Sequence, residues 1–391
     1  MPADPLRVLH VIPSLSPLRG GPSAALPPLV RALNDAGCQA GVLTTNDHGP
    51  DNRSLPLGRW HDEAGVPVLA FERRRRGIRW FDEHIVCPEA ISWLREHHQE
   101  WDVLHVHAVF SYLSTQSMRW ARRLGKPYLC RPLGQLCHWS LGQRSGRKRL
   151  YLKLLERANL EGADAVHFTS RKELEECAEV GLRVRGLVVP HGIEPVPNAG
   201  SERSAGPFRL LFLSRLHPKK GIDLLLAALS QIDVPPRGLR LDIAGAGDAP
   251  YEAELKARVA ALKLASRVHF IGWVDGDRKR ELLAQAHLMV LPSHSENFGV
   301  AVLESLAHGT PVLLSTEVGL AEEVAGAGAG LVVERDAGAL ADALKRLLAE
   351  PEQLTRMGQN GLALAREHFA WPAVAGALKN IYRKVGNARA A

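Results

Sequence analysis

Two glutamates eight residues apart, Glu296 and Glu304, are the best candidates in this chain for residues that do chemistry. Glu296 follows an apolar run at 288–292 that predicts a β-strand, and Glu304 lies within 300–308, which predicts a helix. At about 1.5 Å per helical residue, the carboxylates are at most about 12 Å apart, roughly the span from a sugar ring across a diphosphate to a ribose. Free N–H groups at the start of that helix favour an anion such as a pyrophosphate. The spacing therefore predicts a nucleotide-sugar site.

Two cations follow another predicted strand, residues 209–213. Arg215 can grip a phosphate bidentately, and Lys220 supplies a compact point charge. Together they could hold both phosphates and neutralise a departing diphosphate. A solvated basic loop is the alternative interpretation of this segment when it is taken alone.

Two further candidates lie in the first half of the chain. Gly20 and Gly21 follow the predicted strand 7–12 and open a helix, so backbone amides could approach an anion; an ordinary turn is the alternative. His105 and His107 alternate along strand 103–107 and share one face. His107, at the strand end, is placed to meet a ligand, whereas His105 reads as an interior residue. A metal pair is the other reading, although no third ligand is evident.

Three weaker signals follow strands of the second half. Gly245 would place backbone amides near a nucleotide, unless it only forms a tight turn. Trp273, followed by Val274, could stack on a base or simply pack. Asp275-Gly276-Asp277 looks like an Asp-x-Asp metal site, but Asp277 suits the N-cap of the following helix, and we reject the metal interpretation.

Length and composition indicate a globular protein of two domains. The chain has 391 residues, of which 46% are hydrophobic and 23% charged. No apolar run reaches the roughly 18 residues of a membrane span, and the N-terminus lacks the basic start of a signal peptide. Five scattered cysteines without Cys-x-x-Cys spacing predict reduced thiols in a cytoplasmic protein.

The positive charge is concentrated in the first half. Residues 1–190 carry 26 Lys and Arg against 20 Asp and Glu, which predicts an anionic partner. The segment 144–157 mixes cations with leucines and could lie peripherally on anionic lipid at the inner face of the plasma membrane. A solvated helix face is the alternative there, as it is for the arginine run 73–76. We expect no nucleic-acid partner, because no aromatic-interleaved basic patch is present.

Strands and helices alternate along the whole chain, which predicts an α/β fold with parallel sheets. Residues 194–207 are rich in Pro, Gly and Ser and read as a linker. We therefore expect two Rossmann-like domains, 1–193 and 207–370, whose parallel sheets face each other across a cleft. The predicted strands are 7–12, 40–44, 66–71, 103–107, 127–131, 165–169, 187–190, 209–213, 240–244, 268–271, 288–292, 311–315 and 330–333.

These motifs resemble retaining GT-B glycosyltransferases of the family-4 type. The Glu-x7-Glu signature matches Glu296 and Glu304, and the phosphate-binding pair matches Arg215 and Lys220. Gly20-Gly21 matches the glycine loop of the first domain, residues 190–194 match its link between domains, and 369–382 look like the final helix that crosses back to the first domain. Three departures are His191 for a common Asn, Ala246 for a common acid, and Gly319 alone where a Gly-Gly pair is frequent.

The resemblance implies transfer of a hexose, with retained configuration, from a UDP- or GDP-linked donor to a lipid-linked or saccharide acceptor. It implies that residues 1–193 bind the acceptor, that helix 371–391 packs back on them, and that 207–370 bind the donor. Neither a metal nor a cofactor is implied beyond the nucleotide-sugar co-substrate. The implied catalytic residues are Glu296, His107, Arg215 and Lys220. The implied donor-binding residues are Gly20, Gly21, Gly245, Trp273, Val274, Asn297, Phe298, Gly299, Val300 and Glu304.

Two other functions remain open at this point. A nucleotide-sugar epimerase of the same two-domain architecture would use the donor without an acceptor. A non-catalytic nucleotide-sugar-binding protein would need no complete set of acids and cations, although all four residues are present.

Overall fold

The computed structural model describes residues 5–142, 145–197, 199–200 and 206–390. Arg144 of the predicted lipid-contact segment, and linker residues 198 and 201–205, lie outside these ranges. The chain forms two compact units, one of Met1–Gly192 with Trp371–Ala391 and one of Ile193–Ala370. The predicted domain limits were 193 and 207, with the helix 371–391 assigned to the first domain.

The strands and helices alternate along both units. The strands are β1 (Leu6–Ser14), β2 (Cys38–Thr45), β3 (Asp47–His48), β4 (Asp51–Asn52), β5 (Trp60–Asp62), β6 (Pro67–Phe71), β7 (Val103–His107), β8 (Tyr128–Arg131), β9 (Ala165–Phe168), β10 (Gly186–Val188), β11 (Phe208–Leu213), β12 (Leu239–Ala244), β13 (Val268–Gly272), β14 (Leu288–Leu291), β15 (Val312–Ser315) and β16 (Gly330–Val333). The helices are α1 (Gly21–Asp35), α2 (Arg79–Glu83), α3 (Pro88–Glu96), α4 (Tyr112–Arg123), α5 (His138–Gly142), α6 (Ser145–Tyr151), α7 (Arg157–Glu161), α8 (Arg171–Glu179), α9 (Ile222–Leu229), α10 (Ala249–Ala261), α11 (Gly276–Gln285), α12 (Val300–Ala307), α13 (Ala321–Gly326), α14 (Ala337–Ala349), α15 (Pro351–His368) and α16 (Trp371–Ala390).

The first unit contains an eight-stranded sheet in the order β10-β9-β8-β7-β1-β2-β6-β5. All neighbours are parallel except the edge strand β5, which pairs antiparallel with β6. The sequence did not predict β5, because three residues with exposed or half-exposed side chains carry no hydrophobic pattern. Helix α8 was also not predicted, although Ser170 caps it with a side-chain hydrogen bond to Glu173 N.

Two hydrophobic clusters pack in the first unit. One of them joins β1, β2 and α1 to the C-terminal helix α16 through Trp371, Leu378 and Tyr382. All five cysteines are buried and unpaired.

The second unit contains a six-stranded, fully parallel sheet in the order β13-β12-β11-β14-β15-β16. Its strands are nearly continuous hydrophobic runs, as expected for a sheet covered on both faces. The order is that of a Rossmann fold, and the prediction of two Rossmann-like α/β domains is confirmed. Among the described residues, no helix combines the length and the apolar character that a membrane crossing requires.

Candidate active site

The carboxyl ends of β11 and β14 form the centre of the candidate site in the second unit. These two strands are neighbours, and the chain order of the sheet reverses between them. Ligands of such sheets bind outside the carboxyl ends of the strands at this point. Lys220 follows β11, Glu296 follows β14, and the two side chains form an ion pair, Lys220 Nζ to Glu296 Oε2. The sheet order therefore brings together two predicted catalytic residues that are 76 positions apart in the chain.

Close backbone packing fixes the loops that carry this ion pair. His294 N donates a hydrogen bond to Lys219 O at 2.7 Å. Gly221 has a φ of +69°, and a Cβ atom on it would lie 2.0 Å from Pro292 O. A side chain at position 221 would therefore push the two loops apart.

The loop after β15 supports Glu296 from the other side. Glu296 N donates to Glu317 O at 3.0 Å, and Gly319 N donates to Glu296 O at 2.8 Å. A Cβ atom on Gly319 would lie 2.1 Å from Asn297 O, so this position accepts only glycine. Gly319 thus keeps the backbone contact that holds Glu296.

Glu304 is also paired with a lysine, one that the sequence did not single out. It lies in the second turn of α12, and Lys279 Nζ on α11 donates to Glu304 Oε1 at 2.6 Å. Both side chains are partly buried. Lys279 stands between Arg278 and Arg280, and its sequence neighbourhood gives no reason to prefer it over those two cations. Only the packing of α11 beside α12 identifies it.

The loop after β11 is strongly positive. Arg215 is exposed and makes no hydrogen bond or ion pair with the residues that the structure describes. Partial burial lowers the pKa of His217, and Arg215, Lys219 and Lys220 lower it further. An anion would neutralise this concentration of charge, which makes the loop suited to a diphosphate.

The remaining predicted donor-binding residues of the second unit take different positions. Phe298 is buried and packs edge-on against Phe369 in the core. Val274 and Val300 pack partly against the same core. Trp273 is 63% exposed after β13, so its side chain is available for stacking.

Two of these residues are defined by their backbone. Gly299 is the N-cap of α12, with a φ of +99°. It follows Asn297 and buried Phe298 on the loop after β14. Gly245 N already donates to Gly272 O at 2.7 Å, which gives this amide a role inside the fold.

The Asp277 prediction is wrong. Helix α11 begins at Gly276 with Asp275 as its N-cap. Asp277 lies in the first turn and forms an ion pair with Arg280. An acid in the first turn also complements the helix dipole, so the sequence pattern did not distinguish an N-cap at Asp277 from one at Asp275.

The glycine loop of the first unit is held by a buried ion cluster. Gly20, with a φ of +89°, is the N-cap of α1, and Gly21 is its first residue. The neighbouring Arg19 donates two hydrogen bonds to Asp47, at 2.7 and 2.6 Å. Burial alone would raise the pKa of Asp47, but hydrogen bonds from Arg19 and Ser14 and the charge of Arg73 lower it.

The interpretation of the arginines at 73–76 as solvent-exposed is wrong for Arg73. Its side chain is buried, paired with Asp47, and donates to Gly49 O and Asp51 O at 3.0 Å each. Arg74 and Arg75 are exposed as expected. The pattern of four consecutive arginines cannot distinguish the one that turns inward.

His107 ends β7 and begins a strained loop. Ala108 and Phe110 both have positive φ values, 70° and 60°. Glu156, fully buried in the π-helical turn between α6 and α7, accepts hydrogen bonds from Phe110 N at 3.0 Å and Thr115 Oγ1 at 2.6 Å. Burial raises the pKa of this carboxyl group. The π turn inserts one extra residue into the helix, a feature that often marks functional segments, and no local sequence pattern predicts it.

A third imidazole, that of His10, lies beside His105 and His107, so the structure contains the third possible metal ligand that the sequence did not show. Ring nitrogens of His10, His105 and His107 all lie within 4.8 Å of one another. Both nitrogens of His105 are engaged, however, with Tyr382 Oη at 2.7 Å and with His167 at 3.3 Å. Burial lowers the pKa of these histidines most, and the charge of the buried Arg131 guanidinium lowers it further. The same positive charge would repel a metal cation. Hydrogen bonding explains the cluster better than metal binding.

Two family models match most of the chain. Residues 198–363 match the model described as Glycosyl transferases group 1, and residues 20–192 match the Glycosyl transferase 4-like domain. The fold and these matches define a GT-B protein, and the chain belongs to the group 1 glycosyltransferases.

Three similar proteins illustrate the relationship. Glycogen synthase of Mycobacterium tuberculosis is 33% identical over 50% of this chain and 47% of its own length. GDP-mannose:cellobiosyl-diphosphopolyprenol alpha-mannosyltransferase of Xanthomonas oryzae pv. oryzae is 25% identical over 85% of this chain and 84% of its own. The solved sucrose-phosphate synthase of Thermosynechococcus elongatus has a TM-score of 0.77 at 25% identity, covering 98% of this chain and 100% of that one. The matched region spans about half the length of the first curated relatives.

Proposed function

We propose that this protein transfers a hexose from a UDP- or GDP-linked donor to a lipid-linked or saccharide acceptor, with retention of the anomeric configuration. The observation that carries the proposal is the ion pair between Lys220 and Glu296 at the switch point of the second sheet. A cation and a carboxylate in contact at this point suit a ligand that carries both a diphosphate and a polyhydroxylated ring. Arg215, exposed on the same loop, adds a second charge for the phosphates.

The proposed roles follow from the chemistry of each group. Lys220 and Arg215 stabilise the diphosphate as it leaves with the electron pair of the broken bond to the anomeric carbon. Glu296 accepts hydrogen bonds from hydroxyls of the sugar, and Glu304 accepts them from the ribose. The acceptor oxygen bonds to the anomeric carbon on the face that the diphosphate leaves, and its proton passes to a phosphate oxygen of the leaving group. His107 contacts the donor sugar, and no protein nucleophile is assigned.

Protein cations perform the task that a divalent ion performs in other sugar transferases. Lys220, Arg215 and the N–H groups at the start of α12 supply the positive charge, so we propose that the reaction needs no metal. Activity that survives a chelator supports this part of the proposal, and activity restored only by a divalent ion rejects it.

The acceptor proposal rests on the surface of the α6–α7 segment. Leu150 and Leu154 are 57% and 66% exposed, and Arg147, Arg149 and Lys153 are exposed beside them. Lys148 is different, because its ammonium donates to Ser140 O at 2.6 Å. Exposed leucines among cations suit the interface of an anionic membrane, where a lipid-linked acceptor would lie. The Xanthomonas relative, whose name specifies a diphosphopolyprenol acceptor, supports this choice over a soluble saccharide.

The direct test is a donor screen followed by a transfer assay. Thermal shifts with UDP-, GDP- and ADP-sugars identify the base, and the best donor is then incubated with and without a polyprenyl-diphosphate-linked sugar. We expect release of nucleoside diphosphate that depends on the acceptor, with an α-linked product from an α-linked donor. Conversion of the donor without any acceptor would instead identify an epimerase. Stabilisation by a donor with no turnover under either condition would identify a binding protein.

A further inference from the structure

A cluster of five buried histidines lies in the first unit, most of them unused by the proposed chemistry. It comprises His10 on β1, His105 and His107 on β7, His167 on β9, and His191 beside Arg131. Burial lowers the pKa of His10 to about 3 and holds the pKa of the other four well below 6.5, so all five rings are neutral at physiological pH. A neutral imidazole has one N–H donor and one acceptor nitrogen, so each hydrogen bond fixes the other nitrogen of the ring.

Two of these histidines form, together with Tyr382, a chain of hydrogen bonds whose direction is fixed. His167 Nε2 lies 2.7 Å from Val189 O, and a carbonyl only accepts, so this nitrogen carries the proton. His167 Nδ1 must then accept from His105 Nε2, at 3.3 Å. His105 Nδ1 in turn accepts from the hydroxyl of Tyr382 on α16, at 2.7 Å. Both rings are therefore in the Nε2–H form.

His10 and His107 form a separate pair. His10 Nδ1 lies 3.0 Å from His107 Nε2. The other nitrogen of His10, Nε2, is buried and has no hydrogen-bond partner in the described part of the chain. Two assignments of the shared proton are conceivable, and they differ in what they leave at His10 Nε2.

The unpartnered nitrogen decides between the two assignments. If His107 Nε2 donated, His10 Nε2 would carry a buried N–H group without an acceptor, which is rare and costly in proteins. If His10 Nδ1 donates, His10 Nε2 holds only a lone pair. His107 Nε2 then accepts, and the proton of His107 resides on Nδ1. His107 Nδ1 makes no hydrogen bond with the described residues and is not one of their fully buried atoms, so a proton there remains accessible to a ligand or to water.

We infer that His10 is a positioning residue that holds His107 in the Nδ1–H form, so that His107 meets its ligand as a neutral hydrogen-bond donor. The proton state is a property of the pair itself, whereas its use on the donor sugar rests on the proposed function. In that setting His107 does not move a proton. It donates one hydrogen bond to an oxygen of the ligand, and a group without a lone pair at that place binds less well.

The first test reads the proton position directly. Protein labelled with ¹⁵N-histidine is studied by long-range ¹H–¹⁵N correlation at pH 7.5, and the His107→Asn variant assigns the signals. We expect His107 Nδ1 to show the shift of a protonated nitrogen and Nε2 that of an unprotonated one. The opposite pattern in the wild-type protein overturns the inference.

Two variants then test the part played by His10. His10→Phe keeps a buried aromatic ring but removes the donor that fixes the ring of His107, and we expect the nitrogens of His107 to show a mixture of the two neutral forms instead of Nδ1–H alone. Tyr382→Phe is the matched control, because it breaks the chain at His105 and leaves the His10–His107 pair intact. A His107 signal unchanged in His10→Phe, or changed equally in Tyr382→Phe, overturns the inference.

Kinetics separate this inference from the proposed function. Loss of one hydrogen bond to the sugar should raise KM for the donor by about 2–10-fold in His10→Phe, with a smaller change in kcat. If the spectra show the expected proton position but neither His10→Phe nor His107→Asn changes KM, the inference on the pair stands. That result would reject the sugar contact of His107 that belongs to the proposed function.

Discussion

Lys279 Nζ on α11 lies 2.6 Å from Glu304 Oε1 on α12, so both glutamates of the Glu-x7-Glu motif form ion pairs with lysines. Lys220 lies on the loop after β11, at the switch point of the sheet, whereas Lys279 lies on α11. A ligand that reaches both carboxylates must share them with these ammonium groups.

Removal of Lys220 should affect turnover far more than folding. Loss of one group that stabilises developing charge typically lowers kcat by about 10²–10³-fold, and we expect Lys220→Ala to fall in this range. Its unfolding temperature should drop by only a few degrees, because Lys220 lies on a loop outside the hydrophobic core. Lys345→Ala, which removes an exposed lysine elsewhere in the second unit, is the control. Near-normal turnover in Lys220→Ala would contradict the assigned role.

Replacement of Glu304 should weaken donor binding. Glu304→Gln removes the charge that is proposed to accept from the ribose, and hydrogen bonds to charged groups contribute about 1.5–3 kcal/mol. We expect KM for the nucleotide sugar to rise by roughly 10–100-fold with a smaller loss in kcat, as for an interaction made in both ground and transition states. Glu281→Gln, an exposed acid on α11, serves as the control. An unchanged KM in Glu304→Gln would remove the ribose contact.

Glu156 should prove essential for the loop that follows His107. Glu156→Leu leaves Phe110 N and Thr115 without their acceptor, which costs about 1–3 kcal/mol of unfolding free energy. Glu156→Gln keeps an acceptor oxygen and should remain close to wild type. Equal losses in the two variants, measured by denaturant unfolding, would show that packing and not hydrogen bonding holds the loop.

The raised pKa of Glu156 adds a pH dependence with a definite sign. The folded protein binds a proton at this site more readily than the unfolded chain, so wild-type stability decreases as pH rises from about 4.5. Glu156→Gln does not titrate. The stability of this variant relative to wild type should therefore increase between pH 4.5 and neutrality.

The buried histidines should make the first unit sensitive to mild acid. Unfolded histidines take up protons as pH falls through about 6.5, whereas the folded rings stay neutral because burial, neighbouring imidazoles and Arg131 lower their pKa values. The unfolded state then binds more protons and is favoured at low pH. We expect the free energy of unfolding to fall by about 1.4 kcal/mol per pH unit for each such histidine below pH 6.5.

Denaturant unfolding between pH 8 and 5.5 measures this slope. His191→Asn should reduce the slope by the contribution of about one proton. Stability that is constant across this range would contradict neutral burial of the cluster.

The α6–α7 surface should bind anionic vesicles. Neutralisation of Arg147, Arg149 and Lys153 should weaken binding by roughly two orders of magnitude, at about 1 kcal/mol per cation. Sedimentation with phosphatidylserine vesicles measures the effect, and phosphatidylcholine vesicles should show little binding by any variant. Neutralisation of three exposed cations of the second unit, Arg258, Lys345 and Arg356, is the matched control. Equal sedimentation of both triple variants would remove the membrane proposal.

Most strands and the Rossmann organisation follow from local sequence. Strand 288–291, the loop with Glu296 and helix 300–307 were predicted within one residue, because hydrophobic period and glycine placement act over short distances. Edge strand β5, helix α8 and the π turn at Leu152–Glu156 were not predicted. β5 is only three residues long, and α8 is mostly polar. The residues of the π turn are equally compatible with an α-helix, so no local pattern distinguishes the two forms.

The sequence alone determined which residue types occupy the site: Glu296 after β14, Glu304 on α12, a basic loop after β11 and a histidine at the end of β7. The tertiary structure alone decided their partners. Lys279 meets Glu304 across 25 positions, His10 meets His107 across 97, and Tyr382 meets His105 across 277. Such contacts depend on the order in which strands pair and helices pack, which is a property of the whole folded chain and of no single segment.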